Sequence, residues 1–392
     1  MNKILTIFFK IYSAFIKKTS DYIIFESAND YFDNAYSLYE YIKEHYPQYK
    51  RKYLIATKEM KQSGPLRGVT KKEMLNPKNK LALYKYSLKS KFIVFSYTNY
   101  WKIFKLPENI RIVNAGHGEF PIKSVEKYYD YLYGKQENKI DIAVVTNEVK
   151  EILRKRYPIV EGHNLVVLGT PRTDLMFHPK INRNEFLRSI SIEKPEGKHI
   201  ILSMTTFRNE HVPNLIYFKD EFPIVFDDNQ VSELDSLLEK NNQILLIKLH
   251  HSQDGVIIPT NYKNIKFINN ADLTRLNVEI PELYSIADAL ITDYSSGFIG
   301  YLSLDRKMGF LLADSEQYSN DRGYTINNFK DYLPGDKIYT REAFLDFLNN
   351  LASPNDPFKE ERHRVKMIFA GDYKDQNCKS YTDYYLENKK NS

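Results

Sequence analysis

The stretch IADALITDYSSGFIGYL, residues 286–302, decides the fold class of the second half of the chain. An apolar run over 288–292 is followed at once by the polar tetrapeptide DYSS (293–296) and then by a second apolar segment. This pattern predicts a buried strand that turns directly into a helix beginning near Gly297, whose first N–H groups favour an anion. The simpler interpretation is that one serine is an ordinary N-cap and the acid merely ends the strand.

Short apolar runs of the same kind alternate with helical spacing in both halves of the chain. In the first half they are YIIF (22–25), FIVF (92–95), IRIV (110–113), IDIAVV (140–145) and LVVL (165–168). In the second half they are HIILSM (199–204), QILLIKL (243–249), IKFI (265–268), DALIT (288–292) and MGFLLA (308–313). Helical spacing is present around 38–42, 149–153, 231–238 and 280–284. Strands alternating with helices predict doubly wound parallel sheets.

The length of 392 residues is too great for one ordinary core and predicts two domains. The polar, proline-containing stretch MFHPKINRNEF (176–186) is the predicted junction. We therefore expect an amphipathic helix over 1–18, a Rossmann-like domain over 19–178, a second one over 179–380 and a polar tail over 381–392.

Composition narrows the class of protein. Lys and Arg number 56 against 50 Asp and Glu, so the net charge of +6 suits anionic lipid or phosphorylated substrates and is too weak to predict nucleic-acid binding. Cys378 is the only cysteine, which rules out an intrachain disulfide and a cysteine-based zinc site. A reducing cytoplasmic setting is the natural inference.

The N-terminal stretch MNKILTIFFKIYSAFIKK (1–18) carries a polar stripe at positions 3, 6, 10, 13 and 17 within an otherwise apolar and aromatic surface. It is far short of the ~20 apolar residues that span a bilayer. No small-residue cleavage site follows it, as a secretory signal would require. The pattern predicts an interfacial helix on an anionic membrane surface. The alternative is a first helix packed on the domain core.

Polar groups with reactive or phosphate-binding chemistry follow the predicted strands. They lie in NAGHGEFPIK (114–123), GTPRTD (169–174), TTFRNE (205–210), HHSQ (250–253) and DYSS. Ligands of open parallel sheets bind at the carboxyl ends of the strands, so we expect the functional site there. His117 is bracketed by glycines that give a substrate close access, His250 ends an apolar strand, and Arg208 suits a bidentate hold on phosphate. Each of these residues also has a structural interpretation. His250 would be a histidine hydrogen-bonded at the rim of the sheet, and Arg208 would be an ordinary salt-bridge partner.

These segments carry a family resemblance. HGEFPIK, GTPRTD, MTTFRNE, LIKLHH, the run ITDYSSGFIGYLSLDRKMGFLLADSEQYSNDRGYTI and LPGD occur in the order seen in the CDP-glycerol glycerophosphotransferase family, the primases and polymerases of teichoic acid synthesis. The opening IIFESANDYFDNAYSLYEYIKEHYP is also similar to that family. The resemblance covers roughly 22–380 and is most specific over 291–323. It implies a GT-B fold, with two Rossmann-like domains facing across a cleft, a CDP-alditol donor and membrane association.

The resemblance also implies roles at matched positions. His117 would be the general base, and His250 would contact the phosphates of the donor. The remaining donor-side positions are Arg208 at the pyrophosphate, Asp293, Ser295 and Ser296 at the helix start, and Arg322 in the RG segment. Two departures from the family pattern lie where acceptor and donor would meet: Glu119 and Phe120 interrupt the usual HGTP, and TTFR replaces the usual PTWR.

The implied activity is transfer of glycerol phosphate or ribitol phosphate from a CDP-alditol to a hydroxyl group of a lipid-linked or polysaccharide acceptor. CMP would be released, in teichoic acid or capsule-type polymer synthesis at the cytoplasmic face of the membrane. The chain has no Asp-x-Asp pair, so we expect no obligatory metal and no cofactor besides the donor. Two other interpretations stay open: a GT-B glycosyltransferase with a nucleotide-sugar donor, and a non-catalytic membrane-surface binding module.

Overall fold

The computed structural model describes residues 11–16, 19–27, 33–55, 69–117, 119–206, 228–249, 262–316 and 323–388. The chain divides into two compact units. The first unit contains the chain up to Phe120, Val125–Asp174 and the segment from Phe369 onward. The second contains Pro121–Ser124 and Leu175–Ile368.

The first unit is built on a parallel sheet. Its strands are β1 Tyr22–Glu26, β2 Lys50–Leu54, β3 Met74–Leu75, β4 Ser90–Phe95, β5 Arg111–Asn114, β6 Ile140–Val144 and β7 Asn164–Val167. They lie in the order β3-β2-β1-β4-β5-β6-β7, and each neighbouring pair is parallel. The order reverses between β1 and β4.

The second unit repeats this topology. Its strands are β8 His199–Ser203, β9 Gln243–Lys248, β10 Ile265–Ile268, β11 Ala289–Thr292, β12 Lys307–Leu311 and β13 Asp336–Ile338. They are parallel and lie in the order β10-β9-β8-β11-β12-β13. The order reverses between β8 and β11. Such reversals are the points at which doubly wound folds bind ligands, outside the carboxyl ends of the strands.

Helices or 3₁₀ turns lie between most successive strands in the described part of the chain, as parallel pairing requires. In chain order the helices are α1 Asn34–His45, α2 Lys80–Ser87, α3 Glu126–Tyr133, α4 Asn147–Arg156, α5 Asp174–Phe177, α6 Arg183–Ser189, α7 Asp228–Lys240, α8 Asn270–Leu276, α9 Ile280–Ile286, α10 Gly297–Tyr301, α11 Arg341–Asn350, α12 Lys359–Phe369 and α13 Asn377–Tyr385. The strands consist mostly of apolar residues, because helices cover the faces of each sheet. Ile23, Phe25, Phe92 and Val94, for example, are fully buried in the core of the first unit.

The predicted fold class is confirmed, since both halves are parallel α/β units. Every predicted strand is present, with ends displaced by at most two residues. The helix predicted after DYSS is α10, which continues as a 3₁₀ turn over Leu302–Leu304. β2, β3 and β13 were not predicted. The sequence of β2 is KRKYL. Its first three residues are charged and only its last two are buried, so no apolar run marks it as a strand.

The end of the chain differs from the predicted domain boundary. The segment from Phe369 onward, including α13, lies in the first unit and not in the second. Asp174 accepts hydrogen bonds from the backbone N–H of Asn377 (2.9 Å) and of Cys378 (2.8 Å). The Tyr385 ring stacks on Phe92, with 4.9 Å between ring centroids. These long-range contacts, which no local pattern reveals, attach α13 to the first unit.

Of the N-terminal stretch, only residues 11–16 are described; they begin with a helical turn at 11–14. Ile11 is 59% exposed and Phe15 is 83% exposed. The predicted helix over 1–18 otherwise lies outside the described residues. Within the described part of the chain, no helix has the length and apolar character needed to cross a membrane.

Candidate active site

His117 lies in the loop that follows β5. Gly116 precedes it with φ of +76°, a left-handed conformation that glycine adopts without steric cost. The backbone N–H of Gly116 donates to Asn114 Oδ1 (2.9 Å) and fixes the turn. The His117 side chain is 42% exposed, so the imidazole reaches the surface.

Asp33 orients this imidazole. His117 Nδ1 lies 2.6 Å from Asp33 Oδ2, and the Asp33 side chain is fully buried. Because a carboxylate can only accept, Nδ1 donates the proton and Nε2 carries the ring lone pair. An imidazole held in this tautomer by a buried acid can act as a general base.

Asp33 is held in its charged form. Burial alone would raise the pKa of this carboxyl, but the neighbouring His117, Arg172 and the N–H of Asn34 lower the pKa below its ordinary value. The Asn34 N–H lies 2.7 Å from Asp33 Oδ1, because Asp33 is the N-cap of α1. An ionised Asp33 can stabilise an imidazolium when His117 takes up a proton.

Asn34 joins the two loops around this pair. Its Nδ2 donates to the carbonyl oxygens of Ala115 (3.0 Å) and Gly116 (3.1 Å). Its Oδ1 accepts from the backbone N–H of Arg172 (3.1 Å). The His117 loop and the GTPRTD loop are therefore fixed to the start of one helix.

Glu119 and Arg172 form a second charged pair beside His117. Arg172 Nε lies 3.6 Å from Glu119 Oε1, and the two side chains are only 12% and 6% exposed. Burial raises the pKa of Glu119, while the positive charge of Arg172 opposes that rise. The acid that departs from the family pattern is therefore an internal group, less accessible than His117.

Glu26 and Tyr97 complete the surroundings. Glu26 ends β1, and its Oε2 accepts from the backbone N–H groups of Ser96, Tyr97 and Thr98 at 3.3, 3.1 and 3.0 Å. Burial raises the pKa of Glu26 to about 7 in spite of these hydrogen bonds. The Tyr97 ring, 46% exposed, meets the His117 ring edge-on at 5.5 Å. The site lies where the strand order reverses between β1 and β4.

Asp293 connects two loops of the second unit. Its Oδ2 accepts from the backbone N–H of Thr206 (2.8 Å), and its Oδ1 accepts from the Thr206 hydroxyl (2.9 Å) and the Ser295 N–H (3.0 Å). Asp293 is fully buried. It thus fixes the carboxyl ends of β8 and β11 to each other, at the second reversal of strand order.

Ser295 and Ser296 begin α10 and are both partly exposed. The N–H of Gly297 donates to Ser295 Oγ over a long 3.3 Å. Ser296 is the N-cap residue, and its side chain makes no capping hydrogen bond. Neither hydroxyl group therefore makes a strong hydrogen bond to the helix.

Arg208, His250 and Arg322 lie outside the described residues, as does Gly118. Sequence reasoning missed Asp33, Asn34 and Arg172. Asp33 had one available signal, an acid placed directly before a helical pattern after the first strand, which indicates an N-cap. Among the residues with described positions, no three His, Cys, Asp or Glu side chains are grouped closely enough to hold a metal ion.

Two parallel α/β units, whose seven- and six-stranded sheets share the same order over their first six strands, define a protein of the GT-B-like class together with the polar groups at their strand ends. The chain belongs to the CDP-Glycerol:Poly(glycerophosphate) glycerophosphotransferase family, whose sequence profile matches residues 7–381. The resemblance predicted from the sequence is thereby confirmed.

Individual teichoic acid polymerases are also similar to this chain in sequence. The teichoic acid poly(glycerol phosphate) polymerase of Bacillus subtilis (strain 168) is 24% identical over 352 residues, covering 85% of this chain and 44% of that protein. The teichoic acid ribitol-phosphate polymerase TarL of Staphylococcus aureus (strain NCTC 8325 / PS 47) is 28% identical over 199 residues, 49% of this chain and 32% of that protein. The chain spans 44%, 62% and 47% of the length of three polymerases of the glycerol phosphate type.

The fold has a solved counterpart. A histidine variant of the wall teichoic acid polymerase TagF matches with a TM-score of 0.72 and 21% identity, covering 97% of this chain and 93% of that chain. TagF has also been solved after a soak with CDPG. At this identity the match shows a shared fold.

Proposed function

We propose that this protein transfers glycerol phosphate or ribitol phosphate from a CDP-alditol to a hydroxyl group of an acceptor and releases CMP. The observation that carries the proposal is the Asp33–His117 pair, 2.6 Å apart at the carboxyl edge of the first sheet. Family membership supplies the substrate class.

The pair suits the chemistry of this transfer. The acceptor oxygen attacks the phosphorus that carries the alditol, and His117 Nε2 takes the hydroxyl proton. The bond between that phosphorus and the bridging oxygen breaks, and CMP leaves with the electron pair. Asp33 stabilises the imidazolium that forms. An uncharged hydroxyl needs such a base, whereas a binding module would need neither residue.

The donor phosphates, in this proposal, lie at the carboxyl edge of the second sheet. Ser295 and Ser296 offer hydroxyl donors there, and Asp293 fixes their loop. The family resemblance adds Arg208, Arg322 and His250 as phosphate contacts. The alditol remains open between glycerol and ribitol, since relatives of both kinds are similar to this chain.

We further propose that the acceptor is a lipid-linked saccharide or polyol phosphate of teichoic acid or capsule-type synthesis, reached at the cytoplasmic face of the membrane. The exposed Ile11 and Phe15 support a peripheral membrane contact, because side chains packed on a core would be buried.

Product analysis tests the activity directly. Purified protein incubated with a lipid-linked acceptor and CDP-glycerol or CDP-ribitol should release CMP, and mass spectrometry should show the acceptor heavier by one or more alditol phosphate units. UDP-sugars in matched reactions should leave the acceptor unchanged. Release of UDP from a UDP-sugar, with no CMP from either CDP-alditol, would establish the glycosyltransferase alternative instead.

A further inference from the structure

Glu119 has no role in the proposed transfer, yet it is buried two residues after His117 and paired with Arg172. We infer that Glu119 is a positioning residue for His117: its negative charge, balanced by Arg172, sets the pH at which the imidazole takes up a proton. The inference deepens the proposed function and rests on it for its catalytic meaning.

Hydrogen bonds and ion pairs connect His117, Asp33, Arg172 and Glu119 into one unit. Arg172 belongs to the 3₁₀ turn Pro171–Thr173, and its backbone N–H is fixed by Asn34 Oδ1. The same Asn34 side chain holds the carbonyl oxygens of Ala115 and Gly116, directly before His117. Asn34 therefore fixes the backbone of Arg172 and the loop that leads to His117, while Glu119 follows His117 by two residues and pairs with Arg172.

The charges of this unit depend on one proton. With a neutral imidazole, the carboxylates of Asp33 and Glu119 and the guanidinium of Arg172 sum to −1. When His117 is protonated the sum is zero. Charges inside a protein act on one another more strongly than in water, so each carboxylate favours the imidazolium and Arg172 opposes it.

The two acids differ in how firmly they hold their charge. Burial would raise the pKa of Asp33, but its partners lower that pKa overall, so Asp33 is ionised at neutral pH. Burial raises the pKa of Glu119 above its ordinary value. Of the two acids around the imidazole, Glu119 is therefore the one that loses its charge more readily as the pH falls.

Other ionisable groups face the cluster from neighbouring elements. Among the described residues these are Glu26, which lies behind Asp33 at the end of β1, and Tyr97 and Tyr128. The Tyr128 hydroxyl donates to the backbone carbonyl of Tyr97 (2.9 Å). Substitutions at Glu119 or Arg172 leave these three groups in place. Their influence on the pKa of His117 is therefore the same in every variant.

Glu119 itself is poorly placed to be the base. It is 6% exposed and paired with a cation, whereas the His117 side chain is 42% exposed. A base in contact with the acceptor would have to be reached by a hydroxyl group. Glu119 accordingly acts through His117.

Opposite substitutions give a test that a merely structural role cannot mimic. The imidazole of His117 is titrated by NMR in protein labelled at histidine, with the signal assigned through its loss in His117→Ala. Glu119→Gln removes a negative charge and should move the titration midpoint to lower pH by about half a unit, as for one charge acting through a half-exposed site. Arg172→Gln should move it to higher pH, and the double variant should return close to wild type.

Matched variants control for packing. Glu119→Asp keeps the charge and should titrate near wild type even if packing suffers. Glu108→Gln removes an exposed acid that precedes β5, at the opposite end of that strand from His117, and should have no effect. Shifts in the same direction for Glu119→Gln and Arg172→Gln, or curves that superimpose on Glu108→Gln, would overturn the inference.

A second measurement separates this inference from the proposed function. The acid limb of kcat/KM for CMP release should shift in each variant in the same direction as the NMR midpoint. If wild-type protein released no CMP, the proposed function would fail, while the NMR titration would still decide the role of Glu119.

Discussion

Asp33 makes three kinds of contact at once: it caps α1, accepts the Nδ1 proton of His117 and faces Arg172. The histidine could be predicted from its glycine bracket and its position after a strand. Its pairing with Asp33 could not be predicted, because 84 residues separate the two and only the adjacency of β1, β4 and β5 brings them together. Asp293 stays a predicted residue of the donor site, and the hydrogen bonds of its carboxylate with Thr206 and Ser295 could not be predicted from the sequence.

Replacing Asp33 tests the mechanism at this scale. Asp33→Asn should lower kcat by roughly 10²–10⁴-fold, because the amide neither fixes the tautomer nor stabilises the imidazolium. Stability should change little, since Asn is as good an N-cap as Asp. The measurements are CMP release with a saturating acceptor, together with a melting curve.

The pair should also behave as a unit. His117→Ala should lose a similar factor, and the double variant should be no slower than His117→Ala alone. If Asp33→Asn stays within about twofold of wild type, or if the two losses multiply, His117 does not depend on Asp33 and the base assignment fails.

At the scale of elements, strands that contain a mostly apolar run of four or more residues were predictable, whereas the very short strands and the charged β2 were not. β1, β4, β8 and β11 carry uninterrupted apolar residues because helices cover both sides of the sheet. β3 has two residues and β13 has three, too few for a pattern to emerge. The helix α10 was predicted because the residues before it are typical of a helix start.

The first turn of α10 provides the prediction at this scale. Ser296→Ala should raise the Kd for CDP-glycerol by about tenfold, the loss of one hydrogen bond to a charged group. It should leave the melting temperature unchanged, because the hydroxyl makes no capping bond. Ser295→Ala should also weaken binding, and Arg208→Ala should weaken it more. Titration calorimetry with CDP-glycerol measures all three.

A serine far from the strand ends supplies the control. Ser236 lies on the exposed face of α7, where its hydroxyl donates to its own helix at Ser232. Ser236→Ala should bind CDP-glycerol like wild type. Unchanged affinity in the two α10 variants and in Arg208→Ala would place the donor phosphates elsewhere.

At the scale of the whole molecule, each unit repeats one strand order around its own reversal point. That the chain holds two parallel α/β units was predictable from alternating strand and helix patterns. The return of α13 to the first unit was not, because its contacts with Asp174 and Phe92 are long-range and buried. Local periodicity carries no information about such partners.

Membrane contact is the prediction at this scale. Removing residues 1–18 should move the protein from the membrane fraction to the soluble one and leave a cooperative melt. Replacing Ile11 and Phe15 with Asn should reduce binding to vesicles of phosphatidylglycerol without lowering the melting temperature, because both side chains are exposed.

Met367 offers a matched comparison, since it is 41% exposed and lies in the second unit. Met367→Asn should leave vesicle binding unchanged. A truncated protein that aggregates or loses its cooperative melt would instead show that the N-terminal stretch belongs to the core.

The return of α13 sets an order of events during synthesis on the ribosome. Gly169 has no room for a side chain because Asn377 occupies the space next to it, and the Gly169 N–H donates to Ser380 Oγ (3.0 Å). A nascent chain that has emerged only as far as Asp174 lacks both partners. The second unit, by contrast, is complete once Ile368 has been translated. The first unit, although most of its chain leaves the ribosome first, can therefore complete its contacts only after the whole second unit has been translated.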